Sequence, residues 1–215
     1  MVSVAGAEFV TVTTGDGSNT IYSDSNGASG YFHFGDGNNS IVTSNRYSTI
    51  IGGFGGNGIT LHNGSFESSV ESGSGDDTIA VGHYDITVDA GEGNDLINIY
   101  RDAENSLIRM GKGNDTVMIY NNQHAQTFQY SGGNDLINGF GADDTLIIFG
   151  YTSSDSMISD GNLILDFGDD SITLAGVSSA ESLNIEISAN GRRLTADLFT
   201  AVTRQIIMNR LLMFR

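Results

Sequence analysis

Between residues 12 and 137 the chain repeats a short alternation of polar turn and apolar strand. A glycine that precedes x-Gly recurs at Gly15, Gly35, Gly53, Gly73, Gly91 and Gly111, and Ser131 takes the seventh place. The intervals are 18 or 20 residues. Six residues after each marker stands an aliphatic side chain: Ile21, Ile41, Ile59, Ile79, Ile97, Val117 and Ile137. Three residues before each stands another apolar one: Val12, Phe32, Ile50, Val70, Val88, Ile108 and Phe128. Around these anchors apolar and polar residues alternate, as in Ile97-Asn98-Ile99-Tyr100, which is the period of a strand with one buried face. The two anchors of a unit are a short strand plus a turn apart. Each unit thus predicts two strands and two turns, too little to bury its own apolar side chains. Stacking the units creates two continuous apolar ladders that face each other. The expected fold is all-β: a right-handed parallel β-roll, or β-solenoid, of about seven coils over residues 1–148, with coils about 4.8 Å apart.

Composition narrows the partners. The chain has 29 Gly and no Pro, Cys or Trp, and its 26 acidic residues against 9 basic ones give a net charge of -17. Nucleic acid and anionic membrane are therefore poor partners, and cations are natural ones. Without cysteine there is neither a disulfide nor a thiolate metal site. No apolar run is long enough to span a bilayer, and no N-terminal export signal is expected. Five arginines lie among residues 192–215, so the negative charge belongs to the residues before them.

Four residues after each marker comes an amide or an acid: Asn19, Asn39, Asn57, Asp77, Asp95, Asp115 and Asp135. In a stack these form a column, and four carboxylates about 5 Å apart repel one another unless cations lie between them. Calcium suits such a column, because it takes six to eight oxygen ligands with flexible geometry. The paired glycines Gly73/Gly75, Gly91/Gly93 and Gly111/Gly113, with Gly133, let the turn aim main-chain carbonyls at one point. The expected sites for several Ca2+ ions lie between Asp77 and Asp95, Asp95 and Asp115, and Asp115 and Asp135. The three asparagines read as an amide ladder, structural or weakly ion-binding. Asp144 falls on the opposite edge, where it adds a ligand or caps the roll.

Ala90–Asn98, Ser72–Ala80 and Met110–Met118 closely match the nonapeptide G-G-x-G-x-D-x-U-x, and Tyr130–Asn138 matches it with Gly132-Gly133 shifted by one place. On these residues the sequence resembles the RTX, or hemolysin-type, calcium-binding β-roll repeat family. The stretch after Tyr130, through 162–177, resembles the segment that closes such arrays in type I secreted proteins. That resemblance implies a β capping segment over residues 149–191, a secreted or cell-surface protein, and contact with a type I secretion machinery. It departs from the family pattern at the other turn of each coil: residues 82–88, 101–108 and 121–128 have lost the motif. Ions are therefore expected along one edge only.

No catalytic constellation is recognisable, and no enzyme activity is expected of this chain. His33, His62, His83 and His124 have no partner residues at catalytic spacing. Tyr100 and Tyr120, with Phe140 in register, form an aromatic row that covers a sheet edge or holds a polysaccharide. The chain is thus expected to be a calcium-folded roll. The alternatives are a polysaccharide-binding or adhesin module, or an accessory module of a polysaccharide-modifying enzyme. Leu194, Leu198, Val202 and Ile206 run at helical spacing, so residues 192–215 predict a short amphipathic helix that packs on the open end or serves as a secretion signal.

Overall fold

A computed structural model describes residues 1–195 except 7, 25–27, 63, 121–123, 152–154, 178–182 and 190–191. Its strands are, in chain order, β1 Val2–Ala5, β2 Phe9–Thr13, β3 Thr20–Asp24, β4 Ser29–His33, β5 Ser40–Thr43, β6 Arg46–Ile51, β7 Gly58–Leu61, β8 Ser69–Glu71, β9 Thr78–Val81, β10 Thr87–Asp89, β11 Leu96–Ile99, β12 Leu107–Gly111, β13 Thr116–Ile119, β14 Thr127–Tyr130, β15 Asn134–Asn138, β16 Thr145–Phe149, β17 Asp155–Ser159, β18 Asn162–Asp166, β19 Ser171–Ala175, β20 Asn184–Ala189 and β21 Arg192–Thr195. Odd strands β1 to β15 lie side by side in parallel in one sheet, and even strands β2 to β16 do so in the other. The chain is a parallel β-solenoid of two facing sheets.

Strand register reproduces the sequence ladder residue by residue. Ile21 pairs with Ile41, and the same row continues through Ile59, Ile79, Ile97 and Val117 to Ile137. On the facing sheet Val12 pairs with Phe32, and that row runs on through Ile50, Val70, Val88 and Ile108 to Phe128. All of these side chains except the partly buried Val12 lie within one core cluster. Each fully buried aliphatic side chain contributes about 1.5–3 kcal/mol. A coil gains this only when neighbours cover it, so the stack holds together as a whole.

The far end of the roll closes by reversing strand direction. Strand β19 adds parallel to β15, and β18 and β17 then follow antiparallel on its outer side. Strand β20 adds parallel to β16, and β21 turns back antiparallel on β20. Antiparallel hairpins end both ladders with short strands instead of a long open parallel edge. The expected helix needs correction at its start. Arg192–Thr195 is a strand, because the edge of β20 offers it a ladder of main-chain partners, Glu186 through Ala189. The remainder of that segment, 196–215, lies outside the described residues.

Ile97 is fully buried in the middle of its row. Replacing it with alanine, Ile97→Ala, should cost about 2–5 kcal/mol. Chemical denaturation at a fixed calcium concentration checks this, and a change below about 1 kcal/mol would contradict a continuous packed ladder.

Candidate functional site

Six-residue connections such as 14–19, 34–39, 52–57, 72–77 and 90–95 carry the chain from an even to an odd strand along one edge of the roll. The last residue of each is the hub of its turn. Asn39, Asn57, Asp77, Asp95, Asp115 and Asp135 are all at most 3% exposed, so the column is interior and not a solvated rim.

From Asn39 to Asp135, one atom of every hub side chain does the same thing. Its Oδ1 accepts the main-chain N–H of the hub residue in the preceding coil. Asn19 N–H donates to Asn39 at 3.0 Å, Asn39 N–H to Asn57 at 3.1 Å, and Asn57 N–H to Asp77 at 2.6 Å. Asp77 N–H donates to Asp95 at 2.8 Å, Asp95 N–H to Asp115 at 2.8 Å, and Asp115 N–H to Asp135 at 2.9 Å.

The second hub atom divides the turns into two kinds. In the asparagine turns it is the Nδ2 amide, which donates to carbonyls of its own turn. Asn19 reaches Gly15 and Gly17 at 2.9 and 2.8 Å, and Asn39 reaches Gly35 and Gly37 at 3.1 and 2.8 Å. Asn57 reaches Gly55 at 2.8 Å and, across to the next coil, Ser72 at 3.1 Å. In the aspartate turns the corresponding atom is Oδ2, which accepts where a donor is called for. Oδ2 of Asp77, Asp95, Asp115 and Asp135 is buried without a hydrogen-bond partner. A buried, unpaired carboxylate oxygen is a large penalty unless a positive charge or a proton meets it.

The main chain changes with the hub. Gly73, Gly91 and Gly111 adopt φ of +104°, +91° and +99°, whereas the equivalent Gly15, Gly35 and Gly53 do not enter the left-handed region. The Gly53, Gly73 and Gly91 carbonyls accept N–H groups from the following coil, Ser74 at 3.3 Å, Glu92 at 3.1 Å and Lys112 at 2.8 Å. In the first two asparagine turns the side chains of Asp16 and Asp36 take that job, accepting from Asp36 N–H at 3.0 Å and Phe54 N–H at 3.1 Å. The glycines are also a packing necessity. A Cβ on Gly113 would sit 1.9 Å from the Gly93 carbonyl oxygen, and one on Gly133 would sit 1.6 Å from that of Gly113. Successive turns therefore stack main chain on main chain.

Burial sets the electrostatics. It pushes the Asp95 carboxyl up to about 7, Asp115 up to about 6 and Asp135 up to about 8; hydrogen bonds from hub N–H groups only partly oppose this. Asp77 is raised as well, again by burial, with neighbouring Asn57 and Ser72 opposing the rise. The donor set fits a hard cation: neighbouring carboxylates and carbonyl-rich glycine turns, with oxygen as the only ligand atom. Among the described residues no three His, Cys, Asp or Glu side chains converge on one point. A cation in the column would thus take part of its shell from main-chain oxygens of Gly73, Gly75, Gly91, Gly93, Gly111, Gly113 and Gly133.

The opposite edge has its own hub column, and it is neutral: Ala28, Ser48, Ser68, Ile86, Ser106 and Gln126, all buried. Hydroxyls and the Gln126 amide supply the donor that turn carbonyls need, as in Gln126 Nε2 to Ala103 O at 2.8 Å. Asp144 closes this column. Its Oδ1 accepts Gln126 N–H and its Oδ2 accepts Gly141 N–H, each at 2.9 Å. Both oxygens are satisfied by the main chain, which makes Asp144 a cap and sets it apart from the four orphaned aspartates.

A second cluster seals the acidic column, and the sequence did not reveal it. Asp170 accepts Gly133 N–H at 3.0 Å and the Tyr151 hydroxyl at 2.5 Å, while the buried Tyr130 donates to Gly133 O at 2.7 Å. Ile172 stands opposite Asp135 in the ladder, so the column ends on an apolar side chain. His33 and His62 are exposed, and His83 packs against Tyr84 with ring centroids 4.4 Å apart. Phe140 departs from the expected aromatic row. Gly139, at φ +93°, turns the chain so that Phe140 is buried 5.9 Å from Phe128.

No family model matches the chain, and no curated protein is similar to it in sequence. Among solved structures it is similar to the extracellular lipase LipA from Serratia marcescens, at 16% identity and a TM-score of 0.41. The match covers 85% of this chain and 39% of that one, so this chain spans well under half of the lipase's length.

The raised carboxyls give a signed pH dependence in the absence of calcium. Between the ordinary carboxyl range near 4 and about 8, the folded roll binds more protons than the unfolded chain. Its stability must therefore fall as pH rises through that window. Urea denaturation of calcium-stripped protein in calcium-free buffer from pH 4.5 to 8.5 should show the midpoint decreasing, toward loss of the folded state at the alkaline end. A midpoint that rises with pH contradicts the buried, unpaired state of the column.

Proposed function

We propose that this chain is a calcium-dependent β-roll module, secreted or displayed at a cell surface, whose folding is completed by Ca2+ bound between the aspartate turns. The observation that carries this reading is the contrast at the hub. Three turns hold an amide N–H group against their own carbonyls, and four turns hold a bare carboxylate oxygen in the same place. The charge of the column, its burial and its all-oxygen surroundings favour a divalent hard cation over a proton or a transition metal.

Asp77, Asp95, Asp115 and Asp135 would hold the ions, with Oδ1 retained by the hub N–H of the coil before and Oδ2 free for a cation. When bound, calcium supplies positive charge and a shared set of bonds between adjacent coils. Ligand bound only by the folded state stabilises it by RT ln(1 + [L]/Kd), about 2.7 kcal/mol per site at a hundredfold excess. Three intervals between four aspartates make folding steep in calcium. The same linkage keeps the acidic coils loose where calcium is scarce and folds them where it is plentiful, which suits export through a type I secretion machinery. We read the chain as a folding and carrier module and not as an enzyme.

A calcium titration followed by far-ultraviolet circular dichroism, with a count of bound ions, tests the proposal. Strand signal should fall in EGTA and return with calcium, and an unchanged spectrum in excess EGTA would falsify it. The asparagine turns supply a sharper test. Converting Asp95→Asn and Asp115→Asn places an amide donor against Gly93 and Gly113 carbonyls, as Asn57 does against Gly55. In chelator this double variant should be more stable than the parent by about 1–3 kcal/mol per site. It should also bind fewer ions. Loss of structure in the variant with calcium dependence unchanged would count against the hub mechanism.

A further inference from the structure

A row of side chains on the outer face of the odd sheet is independent of the acidic column. Asp24, Ser44, His62, Gly82, Tyr100 and Tyr120 follow one another, one coil apart. Main-chain bonds keep the row straight: Ser44 N–H to Ser23 O at 3.1 Å, His62 N–H to Thr43 O at 2.9 Å, Gly82 N–H to Leu61 O at 3.1 Å, Tyr100 N–H to Val81 O at 2.9 Å and Tyr120 N–H to Ile99 O at 2.9 Å.

Tyr100 and Tyr120 are each nearly half exposed, and their rings stack at 5.4 Å with planes 12° apart. That separation is close to the coil spacing, so the rings stack along the axis of the roll. One face of Tyr100 covers Tyr120. Its other face looks along the row to Gly82, which has no side chain. Two coils from Tyr100, about 10 Å away, stands the exposed His62. Between Tyr100 and His62 the row thus holds one residue without a side chain, Gly82, which leaves a slot about one ring thick beside the aromatic face. A Cβ at Gly82 would meet Leu61 O at 2.7 Å, so close packing of the main chain demands the glycine and keeps the floor bare. The Tyr120 hydroxyl donates to Asn98 Oδ1 at 3.3 Å and fixes the stacked pair in place.

Beyond His62 the row opens into a polar groove of about 350 Å3 lined by Tyr22, Asp24, Ser44 and His62. The Ser44 hydroxyl donates to Asp24 at 2.7 Å. Hydroxyl, carboxylate, imidazole and phenol groups here lie beside a flat apolar face. We propose that this row is a binding site for a neutral polysaccharide, with one pyranose ring held in the slot over Gly82 and the chain crossing the roll. A pyranose presents a C–H face to Tyr100 and a rim of hydroxyls to His62 and to the groove. A wholly apolar ring would leave the polar groups desolvated and unpaired. An acidic polymer would meet Asp24 and a net charge of -17. The slot stands on one face of the sheet and needs no ion in the column, so its test is run at constant calcium.

Affinity electrophoresis of the intact chain through gels containing glucomannan, xylan or dextran, with alginate as the acidic control, reads binding directly. Because the chain has no Trp, tyrosine fluorescence follows the same interaction with neutral hexaoses. At least one neutral polysaccharide should retard the protein. Tyr100→Ala and His62→Ala should each weaken retardation, by about tenfold for Tyr100. Unchanged circular dichroism establishes that the exposed-site variants remain folded. Absence of retardation by all three neutral polymers overturns the proposal. So does retardation by alginate alone, or wild-type migration of both alanine variants.

Discussion

Every glycine turn on the acidic edge of this roll has to solve one problem at its hub. A buried side chain must accept a hydrogen bond from the coil before it and also offer something positive to the carbonyls of its own turn. An amide does both, and so does the Gln126 side chain on the opposite edge. A hydroxyl manages it with one atom. An aspartate does only the first half. The four consecutive aspartate hubs from Asp77 to Asp135 therefore leave a line of uncompensated oxygen inside the roll. The rest of the architecture is arranged around that line. Glycine turns stack main chain on main chain beside it, apolar ladders hold the coils in register, and the Asp170–Tyr151–Tyr130 cluster shuts one end.

Much of this was legible in the sequence because a solenoid writes its contacts as a period. Ile97 touches the ladder above and below it, and those neighbours are found by counting to Ile79 and Val117. The aspartate column followed from the same count. What escaped the count had other causes. The second edge uses five residues after β9, 82–86, but seven after β7, β11 and β13, as in 62–68, 100–106 and 120–126. Its hub column of Ser48, Ser68, Ile86, Ser106 and Gln126 nevertheless keeps intervals of 18 or 20 residues, but it shares no residue type that would mark it in the letters. Asp170 was hidden for another reason. It reaches Gly133 from 37 positions away, after the antiparallel excursion through β17 and β18. Phe140 kept its place in the count, but the left-handed Gly139 before it sent the ring inward.

The distinction between Asn and Asp was visible as letters, but its meaning was not. In the sequence, asparagine looks like a weakened copy of the acidic motif. In the fold it is a completed one, with its NH2 group lodged against the glycine carbonyls. The two kinds of turn also differ in main-chain conformation at the first glycine, which shows that the hub chemistry reaches into the backbone. The first three glycine turns are thus self-sufficient, and the later four are built to a different specification along the same ladder.

Ile172 gives the array a fixed capacity. It stands where the next hub would fall and presents hydrocarbon in place of oxygen, so the acidic line cannot be lengthened from the cap side. Upstream, nothing in the register discourages growth, since each coil hands an identical pair of ladder positions to the next. Duplicating the coil between Asp95 and Asp115 would insert one more acidic interval without disturbing the terminus. The repeat is the unit of gain and the cap is the point at which counting stops, so length and charge in such a module change together, one coil at a time.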